Sequence, residues 1–434
     1  MKKVLIITYY WPPAGGVAVQ RWLKFAKYLP QYGWQPVILT VKDGSYLFND
    51  ESLLNDVADE TKVYRTETFE PFELYNLLRG KKGKSVSQGL AAASSHKSFF
   101  QHFSEFIRAN FFIPDARVGW KSYAVKEAEK ILQAEKIDAI ITTGPPHSTH
   151  LIGLALKKKY GVKWIADFRD PWTKIFYNQF LPRMDWAKRK DTRLEDKVLK
   201  AADYTIVISN GMKEMYQENS PRIQVIYNSY DDAKFARPTV GGVPEQGFLF
   251  TYTGNFLTTQ NVPKLWEALA ELRSTRPEIK LLLIGDADAT IKQAIEVAGI
   301  ADMVIYKAYM PHAEVINYMW YSHLLLFLLA NVPDSKLLMT GKVFEYLPTG
   351  TALMGIGPTD GSAGEVMKLS HRPAMIQYED KEAMKQRIAE CYDYWQQHGV
   401  GQKFTDPAYQ YFAASNITAQ LADLLNKITT TTAK

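Results

Sequence analysis

Short unbroken apolar runs alternate along this chain with stretches in which apolar residues recur every three or four positions, separated by turns of glycine, proline and polar residues. Runs without polar alternation predict strands buried on both faces of a parallel sheet, and the longer period predicts the helices that cover it. Residues 4–8, 36–41 and 62–65 read as the first strands, with Trp22, Phe25, Ala26 and Leu29 on one face of a helix between the first two. A helix over 124–133 leads into a strand at 138–142, and strands at 163–166, 202–209 and 223–227 continue the alternation. The period is lost at 237–247, which contains PTVGGVPEQG. It then starts afresh with strand 248–252, a helix from about 262 to 275 and strand 280–284. Apolar runs at 324–330 and 351–356 and helices at 384–397 and 417–428 complete the second half.

The pattern predicts an α/β protein of two units, 1–236 and 237–407, facing each other across a cleft, with a terminal segment from about 408 to 434 packing back on the first. In such sheets ligands gather at the carboxyl ends of the strands, so the turns that follow them are the places to look for chemistry.

At 434 residues the chain is long enough for two cores, and 46% hydrophobic with 23% charged residues is ordinary globular composition. A net charge of +6 is compatible with an anionic ligand or membrane surface, but the basic residues are too scattered for a nucleic-acid binder. The single cysteine, Cys391, excludes an internal disulfide and fits a reducing cytoplasm, and the eight histidines show no metal-ligand spacing. The first apolar run, 4–7, is too short for a signal peptide and runs into Trp11, Pro12 and Pro13, while the run at 324–330 is about a third of a membrane span.

One stretch biased toward Lys, Ser, Gly and Ala, 80–97, reads as a loop and holds Lys81, Lys82 and Lys84 next to Arg79. SFFQHFSEFIRANFF follows, with Phe99, Phe103, Phe106 and Ile107 at helical spacing. The plain reading is a core-facing helix; the sharper one joins it to the basic loop as a surface for anionic lipid or a lipid-linked acceptor.

The centre of the second half is TGKVFEYLPTG, 340–350. Gly341 opens a short helix in which Val343 and Leu347 form an apolar pair facing the sheet, while Lys342 and Glu345, three apart, look outward. A lysine in a first turn opposes the helix dipole, so stability alone does not recommend it. A nucleotide uses both residues: the ammonium and backbone amides hold a diphosphate, and the carboxylate accepts from the ribose hydroxyls. Further candidates follow other strands: Gly15 and Gly16 before the first helix, His147, Asp167, Arg169 and Asp170 after the strands at 138–142 and 163–166, and Gly254, Asn255 and Gly285 in the second half.

YYWPPAGG, GPPHSTHLIG, WIADFRDPW, AADYTIVIS, VIYNSYDDAKF, FTYTGN, LLLIGDAD and GKVFEYLPTG, in this order and spacing, resemble the retaining glycosyltransferases of family 4, the group 1 transferases. The resemblance implies the GT-B fold of two Rossmann-like domains, a nucleotide-sugar donor held mainly by the carboxyl-terminal domain, an acceptor held by the amino-terminal one, and no metal or other cofactor. It assigns Glu345 to the ribose, Gly16 to the amide approaching the diphosphate and Gly254 to the turn before the diphosphate cations. The chain departs from the pattern where the family commonly carries Arg and Lys, here Asn255 and Gln260, and where the first of two glutamates would stand, here Leu337. Arg169 takes the place of a histidine near the reacting sugar. Lys342 is the expected replacement for the missing cations.

The implied activity is glycosyl transfer in cell-surface polysaccharide or glycolipid assembly, with Lys342, the amides at Gly341 and Gly16, and Arg169 stabilising the leaving diphosphate. Asp170 and His147 would position the acceptor, His147 as a candidate proton carrier. The expected location is cytoplasmic, extending to peripheral contact with the inner face of the plasma membrane. Two other readings stay open: a non-catalytic sugar-nucleotide-binding or scaffold subunit, and an epimerase or hydrolase of the same fold. The sugar, base, acceptor and linkage are not encoded in any motif.

Overall fold

The computed structural model describes residues 1–46, 49–69, 99–236 and 242–430. Arg79, Lys81, Lys82 and Lys84, with the rest of the 80–97 loop, and positions 237–241 of the aperiodic stretch lie outside the described residues. Two compact units emerge: Met1–Tyr227 with Ile417–Lys434, and Asn228–Asn416. The division therefore falls at 227/228 and 416/417, where the sequence suggests 236/237 and about 407/408. Residues 228–236 are tied within the second unit. Tyr230 N donates to Phe412 O at 3.2 Å, Ala414 N donates to Tyr230 O at 2.9 Å, and Phe235 packs edge-on to His312.

The first unit is built on β1 (Lys2–Ile7), β2 (Trp34–Val41), β3 (Lys62–Thr66), β4 (Ala139–Gly144), β5 (Trp164–Phe168), β6 (Tyr204–Val207) and β7 (Ile223–Val225), all parallel, in the order β3-β2-β1-β4-β5-β6-β7. The second holds β8 (Phe248–Thr253), β9 (Ile279–Ile284), β10 (Val304–Lys307), β11 (Leu324–Leu328) and β12 (Leu353–Ile356), again parallel, in the order β10-β9-β8-β11-β12. Both sheets start at an inner strand, wind outward on one side and then return to the other. The strand order thus reverses between β1 and β4 and between β8 and β11, the points at which such sheets take ligands.

The apolar runs lie where the sequence puts them. The five residues of β11, LLLFL, are all buried, as are all six of β8. Trp22, Trp34, Trp120 and Trp164 fill the first core. Pro36, which brings no N–H to a ladder, lies opposite Val4 at a level that β3 has not reached, because β3 first pairs at Val37. The helices Val17–Tyr28, Lys121–Ala134, Pro263–Leu272, Lys381–His398 and Ala414–Thr430 answer to the predicted ones.

Several shorter helices, among them Ala289–Val297, His312–Tyr321 and Ser362–Leu369, were not predicted, and two longer ones depart from expectation in instructive ways. Asp185–Ala201 was not predicted; Asp191 and Glu195 stand among its buried positions, so charge interrupts the apolar period. The helix Phe99–Phe111 forms, but it is not simply core-facing: Phe103 is 58% and Phe111 60% exposed, and its firm anchorage comes from the buried Ala109 and Asn110. Among the described residues no helix is long and apolar enough to cross a membrane.

Candidate functional site

At the switch point of the second sheet, the ends of β8, β9 and β10 are pinned together by their backbones. Gly254 N donates to Ile284 O at 2.7 Å, Gly285 N to Lys307 O at 2.9 Å, and Phe256 N to Asp286 O at 2.8 Å. Gly254 and Gly285 have φ of 92° and 117°, and a β-carbon on Gly285 would stand 2.9 Å from the Gly254 carbonyl carbon and oxygen. Both positions therefore need glycine. The resulting turn keeps Gly254 and Asn255 exposed.

Under this turn lies Lys342. It belongs to the helix Gly341–Tyr346, whose Val343, Phe344 and Tyr346 are buried, with Leu347 beyond them. The Tyr346 hydroxyl accepts from Thr253 N at 3.1 Å and shares a 2.9 Å hydrogen bond with Thr253 Oγ1, which fixes the helix to the end of β8. Lys342 does not look outward, as its spacing from Glu345 suggests. Its ammonium is 3.9 Å from the Tyr252 ring centroid and donates to the Tyr252 hydroxyl, while a β-carbon on Gly254 would meet Lys342 Cε at 2.9 Å. Burial lowers the Lys342 pKa to about 7, against which the Glu345 carboxylate acts. Burial also raises the Tyr252 pKa, so the phenol stays protonated and donates onward, to Asn255 O at 2.9 Å or Gln260 Oε1 at 3.2 Å.

Gln260, where the family commonly carries a lysine, is a buried strut. Its Oε1 also accepts from Leu257 N at 3.1 Å and its Nε2 donates to Leu328 O at 3.1 Å, joining β8 to β11. Glu345 remains about one-third exposed, with Oε1 3.3 Å from Nε2 of His312, the first residue of the helix His312–Tyr321. His312 carries no sequence signal; only the fold brings it to Glu345. The hydroxyl of Thr340, which precedes Gly341, is buried without a protein partner. Lys342, Glu345, Gly341 and Gly254 thus share one edge, with Asn255 and Gly285 in the adjoining turns.

The first unit gathers its own candidates at the carboxyl ends of β1, β4 and β5. Gly16, with φ of 94°, caps the helix Val17–Tyr28, and Gly15 precedes it. Arg169 N donates to Gly144 O at 3.2 Å, and the Arg169 guanidinium stands 3.6 Å from the half-exposed Asp170 carboxylate. His147 is buried and stacked on Trp172 at 5.1 Å, with its Nδ1 unpartnered. Burial, reinforced by the Arg169 charge, lowers its pKa to about 3. At neutral pH it is an uncharged hydrogen-bonding group, ill suited to carry a proton.

Asp167 proves architectural. It is fully buried and accepts from Arg21 Nη2 at 3.1 Å, Trp22 Nε1 at 2.9 Å and Thr143 Oγ1 at 2.9 Å, while Arg21 also donates to Ile226 O and Tyr227 O. The carboxylate is saturated, which ties β5 to the first helix and to the chain beyond β7.

Solved structures of the same architecture are numerous. Sucrose-phosphate synthase from Thermosynechococcus elongatus is 14% identical, with a TM-score of 0.64 over 99% of both chains. HepE from Anabaena, solved with UDP and glucose, is 15% identical with a TM-score of 0.62 over 98% of this chain and 100% of its own. WaaG, a glycosyltransferase involved in lipopolysaccharide biosynthesis, is 14% identical with a TM-score of 0.54 over 97% of this chain and 99% of its own. Among curated proteins no sequence matches. Residues 88–234 match the model of Glycosyltransferase Family 4 and residues 235–331 that of Glycosyl transferases group 1. The two matches adjoin and together take in more than half of the chain, which belongs to the family 4, group 1 glycosyltransferases and has their GT-B fold.

Proposed function

We propose that this glycosyltransferase moves a sugar from a nucleotide-sugar donor to a saccharide or lipid-linked acceptor in cell-surface polysaccharide or glycolipid assembly, with retention at the anomeric carbon and without a metal. The carrying observation is the Lys342 ammonium, held beneath the Gly254 turn at the switch point of the second sheet. An amine buried against an aromatic ring with little counter-charge has its proton stabilised when an anion arrives, and a diphosphate fits that demand. Backbone amides at Gly254, Asn255, Gly285 and Gly341 are assigned to the same phosphates, and Glu345, oriented by His312, to the ribose hydroxyls.

As the bond to the sugar breaks, negative charge grows on the bridging phosphate oxygen, and a fixed ammonium there favours the transition state over the bound donor. The leaving phosphate takes the acceptor proton, so no side-chain base is required. In the first unit, the Gly15 and Gly16 amides and Arg169 are assigned to the donor, and Asp170 and neutral His147 to orienting the acceptor hydroxyl. The known complex of HepE with UDP and glucose supports a nucleotide sugar, and the role of WaaG in lipopolysaccharide biosynthesis supports a cell-surface product. A thermal-shift panel of UDP, GDP, ADP and dTDP sugars tests the reading. One class should raise the melting temperature of the wild type and fail to do so in Lys342→Met, and equal shifts in both proteins would refute the phosphate assignment.

A further inference from the structure

We propose that the outer face formed by the helix Phe99–Phe111, the segment 180–186 and the helix Asp185–Ala201 is a docking surface for an anionic lipid bilayer. Isolated exposed apolar residues are normal on a protein surface, but here they are concentrated. Phe103, Phe111, Phe180, Leu181, Met184 and Trp186 are all exposed, between 39% and 64%, and the rings of Phe111 and Trp186 meet at 5.9 Å.

Their exposure is imposed by the polar groups beneath them. Asn110 Nδ2 donates to Pro182 O at 2.8 Å, Asn110 Oδ1 accepts from Met184 N at 2.7 Å, and Arg183 donates to Pro114 O while pairing with Asp191. With the backbone and the arginine turned inward, the apolar side chains between them are presented outward on a fixed frame.

The charge beside this patch supplies the second observation. On the helix Asp185–Ala201, Trp186, Lys190, Arg193, Lys197 and Lys200 are all exposed and follow one another at steps of four and three, so they form a single stripe. Two of the four acids of the same helix face away from this stripe, and a third, Asp196, accepts from Asn219 Nδ2 at 2.6 Å. Asp191 is buried against Arg183 and Trp172 Nε1, and Glu195 is buried against Thr173 and the Tyr216 hydroxyl. Among the described residues no carboxylate pairs with Lys190, Arg193, Lys197 or Lys200, and the exposed Asp185 stands 3.9 Å from Lys188. Amphipathic rings beside a row of unpaired cations suit the interface of a bilayer carrying negative headgroups: the rings enter the headgroup layer and the cations meet the surface potential. The basic loop around Lys81 is not needed for this arrangement.

The test reads binding rather than sugar transfer, so it is independent of the proposed donor chemistry. The full chain is co-sedimented with phosphatidylcholine vesicles that contain phosphatidylglycerol, and with vesicles of phosphatidylcholine alone. The wild type should partition onto the anionic vesicles and be released by salt. The variant Lys190→Glu with Arg193→Glu and Lys197→Glu should partition at least ~tenfold less, and Phe111→Ser with Trp186→Ser should lose binding while melting as the wild type does. Lys264→Glu with Lys292→Glu, on the second unit, should bind as the wild type does. No binding by the wild type, or undiminished binding by the folded charge-reversed variant, would overturn the assignment. So would a wild-type dimer in sedimentation velocity that Phe111→Ser with Trp186→Ser dissociates, since a second copy would then be the occupant.

Discussion

The ammonium of Lys342 sits 3.9 Å from the centre of the Tyr252 ring and donates to that ring's hydroxyl, so a cation from a helix after β11 is stored against the carboxyl end of strand β8. Its enclosure has an unfavourable free energy in the absence of an anion. Lys342→Met should therefore raise stability near neutral pH by roughly 1 to 3 kcal/mol while weakening nucleoside diphosphate binding more than ~tenfold. Urea unfolding and calorimetric titration on the same samples check both halves, and loss of stability together with unchanged affinity would contradict them.

A pH dependence follows from the same group. The folded pKa of about 7 lies below the ordinary lysine value of 10.5, so between these limits the unfolded chain binds the extra proton. The contribution of Lys342 to stability should thus be greatest above pH 10.5 and decline as pH falls toward 7, then level off. Ligand affinity should move the opposite way. A bound diphosphate holds the proton on, so affinity should weaken by up to about tenfold per unit as pH rises above 7, with uptake of one proton on binding. Calorimetry in buffers of different ionisation enthalpy measures that proton, and Lys342→Met should abolish it.

Glu345 and His312 should act as a pair on the sugar of the nucleotide. Glu345→Gln should weaken ribonucleotides more than 2′,3′-dideoxy analogues. His312→Ala should show the same preference at smaller size, about threefold to tenfold, because it removes only the group that orients the carboxylate. Equal losses for both nucleotide series would place the pair outside the ribose site.

Asp167 should behave as structure. Asp167→Asn leaves the buried Arg21 charge poorly balanced and should cost about 3 to 5 kcal/mol. Asp167→Asn combined with Arg21→Met should recover part of that stability by removing both charges, and denaturant midpoints of the wild type and the two variants decide the question.

Gly285→Ala should destabilise the second unit by about 2 to 4 kcal/mol, since it adds a β-carbon 2.9 Å from the Gly254 carbonyl at a φ of 117°. Gly161→Ala, at a left-handed helix cap with open space around it, should cost about 1 kcal/mol. Thermal melting of the pair separates the steric effect from the conformational one.

Much of this architecture was legible in the chain. Short unbroken runs such as LLLFL, bounded by turn residues and alternating with helical periods, point to strands buried on both faces, and Gly341 before the helical KVFEY marks a helix with a buried side. The direction of Lys342 was not legible, because helical spacing places its Cα beside Glu345 while the long stem turns under the Gly254 turn, which has no side chain to exclude it. Asp167 and Asp170 differ little as sequence neighbours of the same strand end. Only the arrival of Arg21 and Trp22 from a helix more than a hundred residues away makes one a saturated core group and leaves the other half-exposed. The helix Asp185–Ala201 escaped notice because its inward face is partly ionic, a pattern that hydrophobic periodicity does not register.

The amide of Gln260 restricts where positive charge can stand at this site. It offers one donor and two accepted bonds at once, to Leu328 O and from Leu257 N and Tyr252, whereas a lysine can only donate. A lysine at 260 would strip the Leu257 amide of its acceptor and add a second ammonium near the Tyr252 hydroxyl, which Lys342 already meets. With a strut at 260, the positive charge of this edge rests on Lys342 instead, and Gln260→Lys alone should loosen the join between β8 and β11.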